Sequence, residues 1–170
     1  HKYTLSVLLK VFERWGTRNH GYLVKKLVDH SEETLIKLVE KDGLLLQYIE
    51  VKYRTENIYL HAIRQNPDAL QFVAEQTHQM CLECVRKKGV TLRYVQHQQS
   101  DICQEALKQE PISIIYCYTP TEEQCQLAVS IDGMVIRCID NPSQQVRDIA
   151  VKQNERAKIY INSPLPTQNQ

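Results

Sequence analysis

The sequence predicts an all-α fold: an α-solenoid of six short helix–turn–helix repeats with a helical N-terminal cap. Three observations lead to this prediction: a 22-residue repeat, a column of small residues within it, and recurring signals for the start and end of each helix. The repeat covers residues 31–162 of the 170-residue chain. A unit this short cannot bury its apolar face alone, so stacking on neighbouring units has to supply the core.

Residues 1–30 precede the repeat and are expected to form the cap. The segments LSVLLKVFERW and NHGYLVKKLVDH have apolar residues at helical spacing but do not fit the 22-residue register. The first unit of a solenoid needs its outer face covered, and a helical cap would provide that cover.

The last five repeats align without gaps at a spacing of 22 residues, and the first begins 24 residues before the second. The two extra residues fall near positions 51–54. The aligned helices read YLHAIRQNP, CLECVRKKG, CQEALKQEP, CQLAVSIDG and RDIAVKQNE. Their fourth position is always small, which is expected where neighbouring helices approach closely, and it holds Ala62, Cys84, Ala106, Ala128 and Ala150.

Both ends of each repeat helix carry a signal. Ser or Thr precedes the helix in five repeats, as an N-cap residue whose side chain satisfies free backbone N–H groups; these are Ser31, Thr55, Thr77, Thr121 and Ser143, with Gln99 in the fourth repeat. Gly or Pro follows the helix at Gly43, Pro67, Gly89, Pro111 and Gly133. We interpret Gly as the left-handed residue after a helix and Pro as the first residue of the next one.

A short second segment follows in each unit, exemplified by ALQFV at positions 69–73. It has room for one to two turns, which leaves α-helix and 3₁₀ helix open. The last repeat has Glu155 in place of Gly or Pro and is interpreted as a C-terminal cap. Residues 163–170 are rich in Pro and polar residues and are expected to be a disordered tail.

The pair Cys81-x-x-Cys84 has the spacing of a zinc or redox motif, but the register explains it otherwise. Cys81 shares a column with Cys103 and Cys125, and Cys84 belongs to the small column, so these thiols are expected to be buried apolar groups. Helices pack about 8–10 Å apart, too far for disulfides between them, and zinc would need two more ligands. We therefore predict no metal and no cofactor, and an intracellular, reducing location.

Composition, net charge and the absence of known motifs exclude several classes of function. The chain is 42% hydrophobic and 24% charged, with a formal net charge of +1, which is typical of a globular chain and unlike a dedicated nucleic-acid binder. No apolar run is long enough to span a bilayer, so no membrane association is predicted. Phosphate loops, nucleophile elbows and H-E-x-x-H motifs are absent from the sequence, so we predict no enzyme.

Two columns form candidate surfaces. The basic ridge consists of Arg64, Arg86, Lys108, Ser130 and Lys152, thickened by Lys87, Lys88 and Arg93. Acidic proteins, nucleic-acid phosphates or the repeat's own carboxylates could pair with it, or it could be a solvated face. The aromatic column consists of Tyr48, Phe72, Tyr94, Tyr116, Cys138 and Tyr160, which serve either packing between repeats or binding. The candidate partner-binding residues are Arg64, Arg86, Lys87, Arg93, Lys108, Lys152, Tyr94 and Tyr116.

The repeat resembles a short α-helical repeat family of unknown function, with units reading approximately Cys-Leu-Glu-Ala-Val-Lys-Gln-Asn-Gly. Arrays of that repeat are found in giant viruses, phages and some bacteria. The matching residues are CLECVRKKG from Cys81, ALQFV from Ala69 and AVKQN from Ala150. The resemblance implies a helical array, often viral, that serves as a binding scaffold and brings no catalytic residues with it.

These observations predict a non-enzymatic protein-binding scaffold that uses the basic ridge. If the source is a virus or phage, the chain would bind a host factor, such as a defence nuclease, and inhibit or recruit it. The alternative is a nucleic-acid-binding protein that uses the same ridge. The sequence does not predict the oligomeric state.

Overall fold

The computed structural model describes residues 2–162. Over these residues the fold is all-α, as predicted, and within each of the two compact units given below short helices pack on consecutive neighbours. The chain divides into two compact units, unit 1 (His1–Cys84) and unit 2 (Val85–Gln170). The predicted tail at 163–170 lies outside the described residues.

Unit 1 begins with helix α1 (Leu5–Trp15), which ends at Gly16 with φ at 77°, and a 3₁₀ helix (Gly21–Lys26). This 3₁₀ helix starts 22 residues before the equivalent one at Gly43–Tyr48. It buries the same positions, Gly21, Leu23 and Val24, as its counterpart does. The register therefore extends into residues that the sequence prediction placed outside it, and only α1 departs from it.

Six ten-residue helices carry the repeat: α2 (Glu32–Lys41), α3 (Glu56–Gln65), α4 (His78–Lys87), α5 (Ser100–Gln109), α6 (Glu122–Ile131) and α7 (Gln144–Gln153). Each is followed by a 3₁₀ helix: Gly43–Tyr48, Pro67–Phe72, Gly89–Tyr94, Pro111–Tyr116, Gly133–Cys138 and the shortened Glu155–Ala157. The second segment is thus 3₁₀ rather than α. The predicted insertion is an extra 3₁₀ turn at Val51–Tyr53, and the chain continues after the last repeat into α8 (Lys158–Asn162).

Most of the predicted N-caps have the expected geometry. The side-chain oxygens of four of them accept the backbone N–H three residues ahead at 3.2–3.4 Å: Thr55, Thr77, Thr121 and Ser143. Ser31 differs, because its hydroxyl donates to Asp29 instead. Gln99 makes no side-chain cap, in keeping with its departure from the Ser/Thr pattern.

The interpretation of the repeat glycines as left-handed residues is wrong. Among residues 2–162, Gly16 is the one glycine with a positive φ. Gly43, Gly89 and Gly133 are instead the first residues of 3₁₀ helices, the position that Pro67 and Pro111 occupy in other repeats. A Cβ on these glycines would lie 2.3–2.4 Å from the carbonyl oxygen of Ala62, Ala106 and Ala150, respectively. Glycine is required by the close approach of the next repeat.

Two of these three junctions also carry a hydrogen bond from the glycine. The N–H of Gly43 donates to Gln65 Oε1 at 2.6 Å, and that of Gly133 donates to Gln153 Oε1 at 2.7 Å. Pro67 and Pro111 have no N–H to donate, and the repeats that follow them have Lys87 and Ile131 at the glutamine position. A helix therefore ends in glutamine where the preceding 3₁₀ helix starts with glycine, and in another residue where that 3₁₀ helix starts with proline.

The core consists of the predicted columns. The small column is at most 1% exposed throughout, and the column four residues before it is at most 4% exposed. Gln124 is the polar member of that second column. It is accommodated because its side chain accepts the Thr121 N–H at 3.0 Å while Thr121 caps α6, which forms a capping box.

Candidate functional site

Equivalent clefts open between consecutive repeats within each unit, beside the N-terminal ends of the repeat helices. Cleft A, in unit 1, has a volume of about 360 Å³ and is lined by Val51, Arg54, Glu56, Tyr59, Ala74, Glu75, Thr77 and Met80. Cleft B, in unit 2, measures about 230 Å³ and is lined by Gln98, Ser100, Cys103, Cys117, Tyr118, Thr119, Thr121 and Gln124. Cleft C, also in unit 2, measures about 440 Å³, and its lining includes Ile115, Cys117, Tyr118, Pro120, Glu122, Cys125, Asp140 and Val146.

The clefts recur because their walls are repeat columns. Tyr59, Cys103 and Cys125 hold the same register position and line clefts A, B and C in turn. Facing them in every cleft are the N-cap residue of the next repeat and a buried residue three positions further on. Each cleft is thus made by two consecutive repeats.

Long polar side chains just before the N-cap join the repeats at the clefts. Arg54 donates from Nε to Ile49 O at 2.8 Å and from Nη1 to Phe72 O, one repeat ahead, at 3.0 Å. Gln98 does the same in unit 2: its Nε2 donates to the carbonyls of Leu92 and Tyr116. Sequence reasoning missed this role. The signal was the column itself, because Arg54, Gln76 and Gln98 share one register position.

Thiols line clefts B and C. Cys103 and Cys117 are hydrogen-bonded to each other, and this bond lowers the pKa of Cys103 and raises that of Cys117. Burial raises the pKa of Cys125, the equivalent thiol in cleft C. Hydrogen bonds from Ser143 and Gln126 lower the pKa of the Glu122 carboxyl at the edge of cleft C. At neutral pH, cleft C therefore combines a charged carboxylate with a neutral thiol.

Two large apolar side chains stand exposed at clefts B and C. Tyr118 is 67% exposed and lines both B and C, and Ile115 is 48% exposed and lines C. Tyr118 is held in place: its hydroxyl donates to Val95 O at 3.1 Å and its N–H to Gln98 Oε1 at 3.1 Å. A fixed, exposed aromatic ring between two clefts has the properties of a binding anchor.

Three cations of the basic ridge form an ion-pair ladder with carboxylates of the repeats: Arg64 and Arg86 pair across consecutive repeats, and Lys108 pairs within its own helix. In unit 1, Arg64 Nε and Nη2 each lie 3.4 Å from a carboxylate oxygen of Glu83, one repeat further along. In unit 2, Arg86 Nε and Lys108 Nζ donate to the two oxygens of Glu105 at 2.9 Å. These hydrogen bonds, from Lys108 first and Arg86 second, lower the pKa of the Glu105 carboxyl. Of the partners that the sequence leaves open, the repeat's own carboxylates are the ones these cations contact.

Of the other predicted binding residues, Arg93 contacts the aromatic column, to which Tyr94 and Tyr116 belong. The Arg93 guanidinium carbon is 4.6 Å from the ring centroid of Tyr94 and 6.0 Å from that of Tyr116, so it bridges consecutive members of the aromatic column. Both tyrosines are half-buried, while Lys87 and Lys152 are exposed. Partner binding by the eight predicted residues stays a prediction.

The described residues show no arrangement for metal chemistry. Within residues 2–162, no group of three or more His, Cys, Asp or Glu side chains is placed to hold a metal ion. All six cysteines are free thiols, and Cys81 and Cys84 of the C-x-x-C pair are both buried. No helix in the described part of the chain has the length and apolarity needed to cross a membrane.

Comparison of the sequence with models of known protein families, with curated proteins and with solved structures yields no match. The function therefore has to be inferred from the geometry of the chain itself. Clefts B and C, with Tyr118 between them, are its strongest candidate site.

Proposed function

We propose that the chain is a non-enzymatic protein-binding scaffold and that clefts B and C hold an extended segment of the partner. The observation that carries this proposal is Tyr118, a residue that is 67% exposed, held by hydrogen bonds from its hydroxyl and its backbone N–H, and shared by two adjoining clefts. Exposed apolar side chains rimmed by polar groups are characteristic of protein interaction sites. A fixed ring also loses little conformational entropy on binding.

The spacing of the clefts supports an extended peptide as the occupant. Clefts B and C follow consecutive helices, and packed helices lie about 8–10 Å apart. An extended chain advances about 3.3 Å per residue, so side chains three positions apart are separated by about 10 Å. One such pair of side chains would occupy the two clefts together.

The lining of the clefts suggests the chemistry of these two side chains. Cleft C presents Ile115 and Val146 together with the carboxylates of Glu122 and Asp140, which favours an apolar side chain with a basic neighbour. Cleft B presents hydroxyl, amide and thiol groups, which favour a small polar side chain. The partner segment is therefore expected to be mildly basic.

The finer version of the proposal rests on the family resemblance. A viral or phage scaffold of this kind would bind a host factor, such as a defence nuclease, and inhibit or recruit it. An intracellular, reducing location belongs to the same proposal, and six unbridged cysteines are compatible with it. Nucleic-acid binding along the basic ridge gains no support from the contacts, because Arg64, Arg86 and Lys108 lie against carboxylates.

A peptide-display selection against the immobilised chain tests the proposal. Enriched peptides would be resynthesised with a fluorophore, and their dissociation constants measured by fluorescence anisotropy. Tyr118→Ala should weaken binding by about 30-fold or more, as expected for a central aromatic anchor. Tyr22→Ala in unit 1 is the matched control, because Tyr22 is also exposed, at 51%, and should leave binding unchanged. Peptides that bind Tyr118→Ala with unchanged affinity would contradict the proposal.

A further inference from the structure

The N-terminal part of unit 1 holds an excess of positive charge that the composition of the whole chain conceals. Residues 2–30 contain two carboxylates, Glu13 and Asp29, against six cations: Lys2, Lys10, Arg14, Arg18, Lys25 and Lys26. The formal charge of this segment is therefore four units positive, while the whole chain has a net charge of +1.

Both carboxylates are engaged with the first repeat. Glu13 Oε1 lies 3.9 Å from Lys41 Nζ on α2. Asp29 accepts hydrogen bonds from the Ser31 N–H at 2.9 Å and the Thr34 hydroxyl at 2.5 Å. Lys2, Lys10, Arg18, Lys25 and Lys26 form no ion pair with any residue between 2 and 162. In this they differ from Arg64, Arg86 and Lys108 of the basic ridge, which contact carboxylates.

Two exposed aromatic rings lie among these cations. Trp15 is 56% exposed and Tyr22 is 51% exposed. The Arg14 guanidinium carbon is 5.0 Å from the Trp15 ring centroid, and the His20 ring is 6.1 Å from it. Because His20 immediately precedes the 3₁₀ helix, this contact brings the end of α1 close to the start of the 3₁₀ helix.

The backbone brings five of these cations into two groups, one on α1 and one at the 3₁₀ helix. Lys10 and Arg14 are four residues apart on α1 and share a face. Tyr22 and Lys25 are three residues apart on a 3₁₀ helix, where such side chains lie one above the other. The Tyr3 N–H donates to Lys26 O at 2.8 Å, which places Lys2 beside the end of the 3₁₀ helix.

We propose that this basic-aromatic surface, formed by Trp15 and Tyr22 with Lys2, Lys10, Arg14, Lys25 and Lys26, binds single-stranded nucleic acid. The cations would contact backbone phosphates, and the two rings would stack on unpaired bases, as in proteins that bind single strands without sequence preference. An acidic peptide would use the cations but leave the rings without stacking partners. Duplex DNA would hide its base faces from them. The single strand is the polyanion that uses both features.

The chain contains a built-in probe for this proposal, because Trp15 is its single tryptophan. Titration with a thymidine oligonucleotide of about 20 nucleotides, or with its uridine counterpart, should quench Trp15 fluorescence to saturation as bases stack on the indole. Quenching by one oligonucleotide and not the other would assign the site to DNA or to RNA. Poly-L-glutamate and a DNA duplex are the competing polyanions, and neither should quench comparably.

Salt and substitutions sharpen the test, with affinity measured by anisotropy of a labelled oligonucleotide. If five cations contact phosphates, the dissociation constant should rise about 100-fold between 50 and 200 mM salt. Tyr22→Ala should weaken binding by about 5- to 100-fold through lost stacking. Lys25→Glu combined with Lys26→Glu should weaken it more than 10-fold.

The matched control is Arg156→Glu combined with Lys158→Glu, which makes the same charge change at exposed positions of unit 2. It should retain near-wild-type affinity for the oligonucleotide. Equal losses from both double variants would reduce the effect to net charge and overturn the proposal. So would binding of poly-L-glutamate at equal affinity, or no oligonucleotide binding at 50 mM salt. None of these results depends on Tyr118 or on clefts B and C.

Discussion

The face of the repeat that carries the ion-pair ladder is charged on helices α3 and α4 and lacks these charges on helices α6 and α7. In unit 1 it pairs Arg64 with Glu83 across consecutive repeats. At the same positions in α6 and α7, unit 2 has Ser130 and Ile149, and Leu127 stands where Glu105 lies one repeat earlier. Leu127 and Ile149 are half-buried against the core of unit 2.

The backbone is the same in both regions despite this difference in side chains. Helices α3 and α7 are both ten residues long and end at equivalent positions. Both regions keep the buried small column, with Ala62 in one and Ala150 in the other, and the glycine that meets its carbonyl oxygen. The buried columns therefore determine the backbone of the repeat, while the residues on the ladder face can differ between repeats.

Gly43→Ala and Gly133→Ala should have the largest effects, and similar ones in the two regions. In each case the new Cβ would meet a backbone carbonyl oxygen at 2.3–2.4 Å, which a side-chain rotation cannot relieve. We expect each to lower the free energy of unfolding by about 3 kcal/mol, measured by urea denaturation. Ser130→Ala, at an exposed position, serves as the control and should change it by less than about 0.5 kcal/mol. A large loss at one glycine alone would break the equivalence of the two regions.

Ala106→Leu should come next. The added atoms have no space in a column that is 0% exposed, and overpacking of this kind costs about 2 kcal/mol. Ala128→Leu, one repeat further along and beyond the ladder, should cost about the same if the column is uniform. Unfolding midpoints of the two variants check this expectation. An unchanged midpoint for either would show that the column is not a uniform helix contact.

Glu105→Gln should have a smaller effect that depends on pH. Hydrogen bonds from Lys108 and Arg86 lower the pKa of Glu105 in the folded state, so the carboxylate stabilises the fold above its ordinary pKa of 4.5. That contribution is lost as the pH falls through the lowered value. Wild type should therefore be more stable than Glu105→Gln at pH 7 and converge with it in acid, as measured by urea midpoints across that range. A constant difference would mean that the pairing contributes nothing.

The smallest effect is expected from building the ladder where it is missing. Ser130→Arg and Ile149→Glu place a cation and a carboxylate at the positions of Arg86 and Glu105. A double-mutant cycle isolates their coupling from the packing that Ile149 loses, and we expect about 0.5 kcal/mol, declining in high salt. Zero coupling at low salt would show that the last repeats do not reproduce the ladder geometry.

The period, the helix boundaries and the buried columns could all be predicted from the sequence. These features are written into every unit: a cap residue, apolar positions at helical spacing and a small residue at one place. Because each unit repeats the same local information, alignment of the units strengthened every signal, and the all-α repeat fold followed. The same alignment explained Cys81 and Cys84 as members of two columns.

The contacts between repeats could not be predicted from the sequence and are seen only in the tertiary structure. The repeat glycines are required by a carbonyl oxygen of the following repeat, and Arg64 and Arg86 pair with carboxylates 19 residues further along. The clefts around Tyr118 likewise need two repeats to form their walls. Such contacts depend on how far one unit is rotated and shifted against the next, and that geometry is set by packing, not by any local segment of sequence.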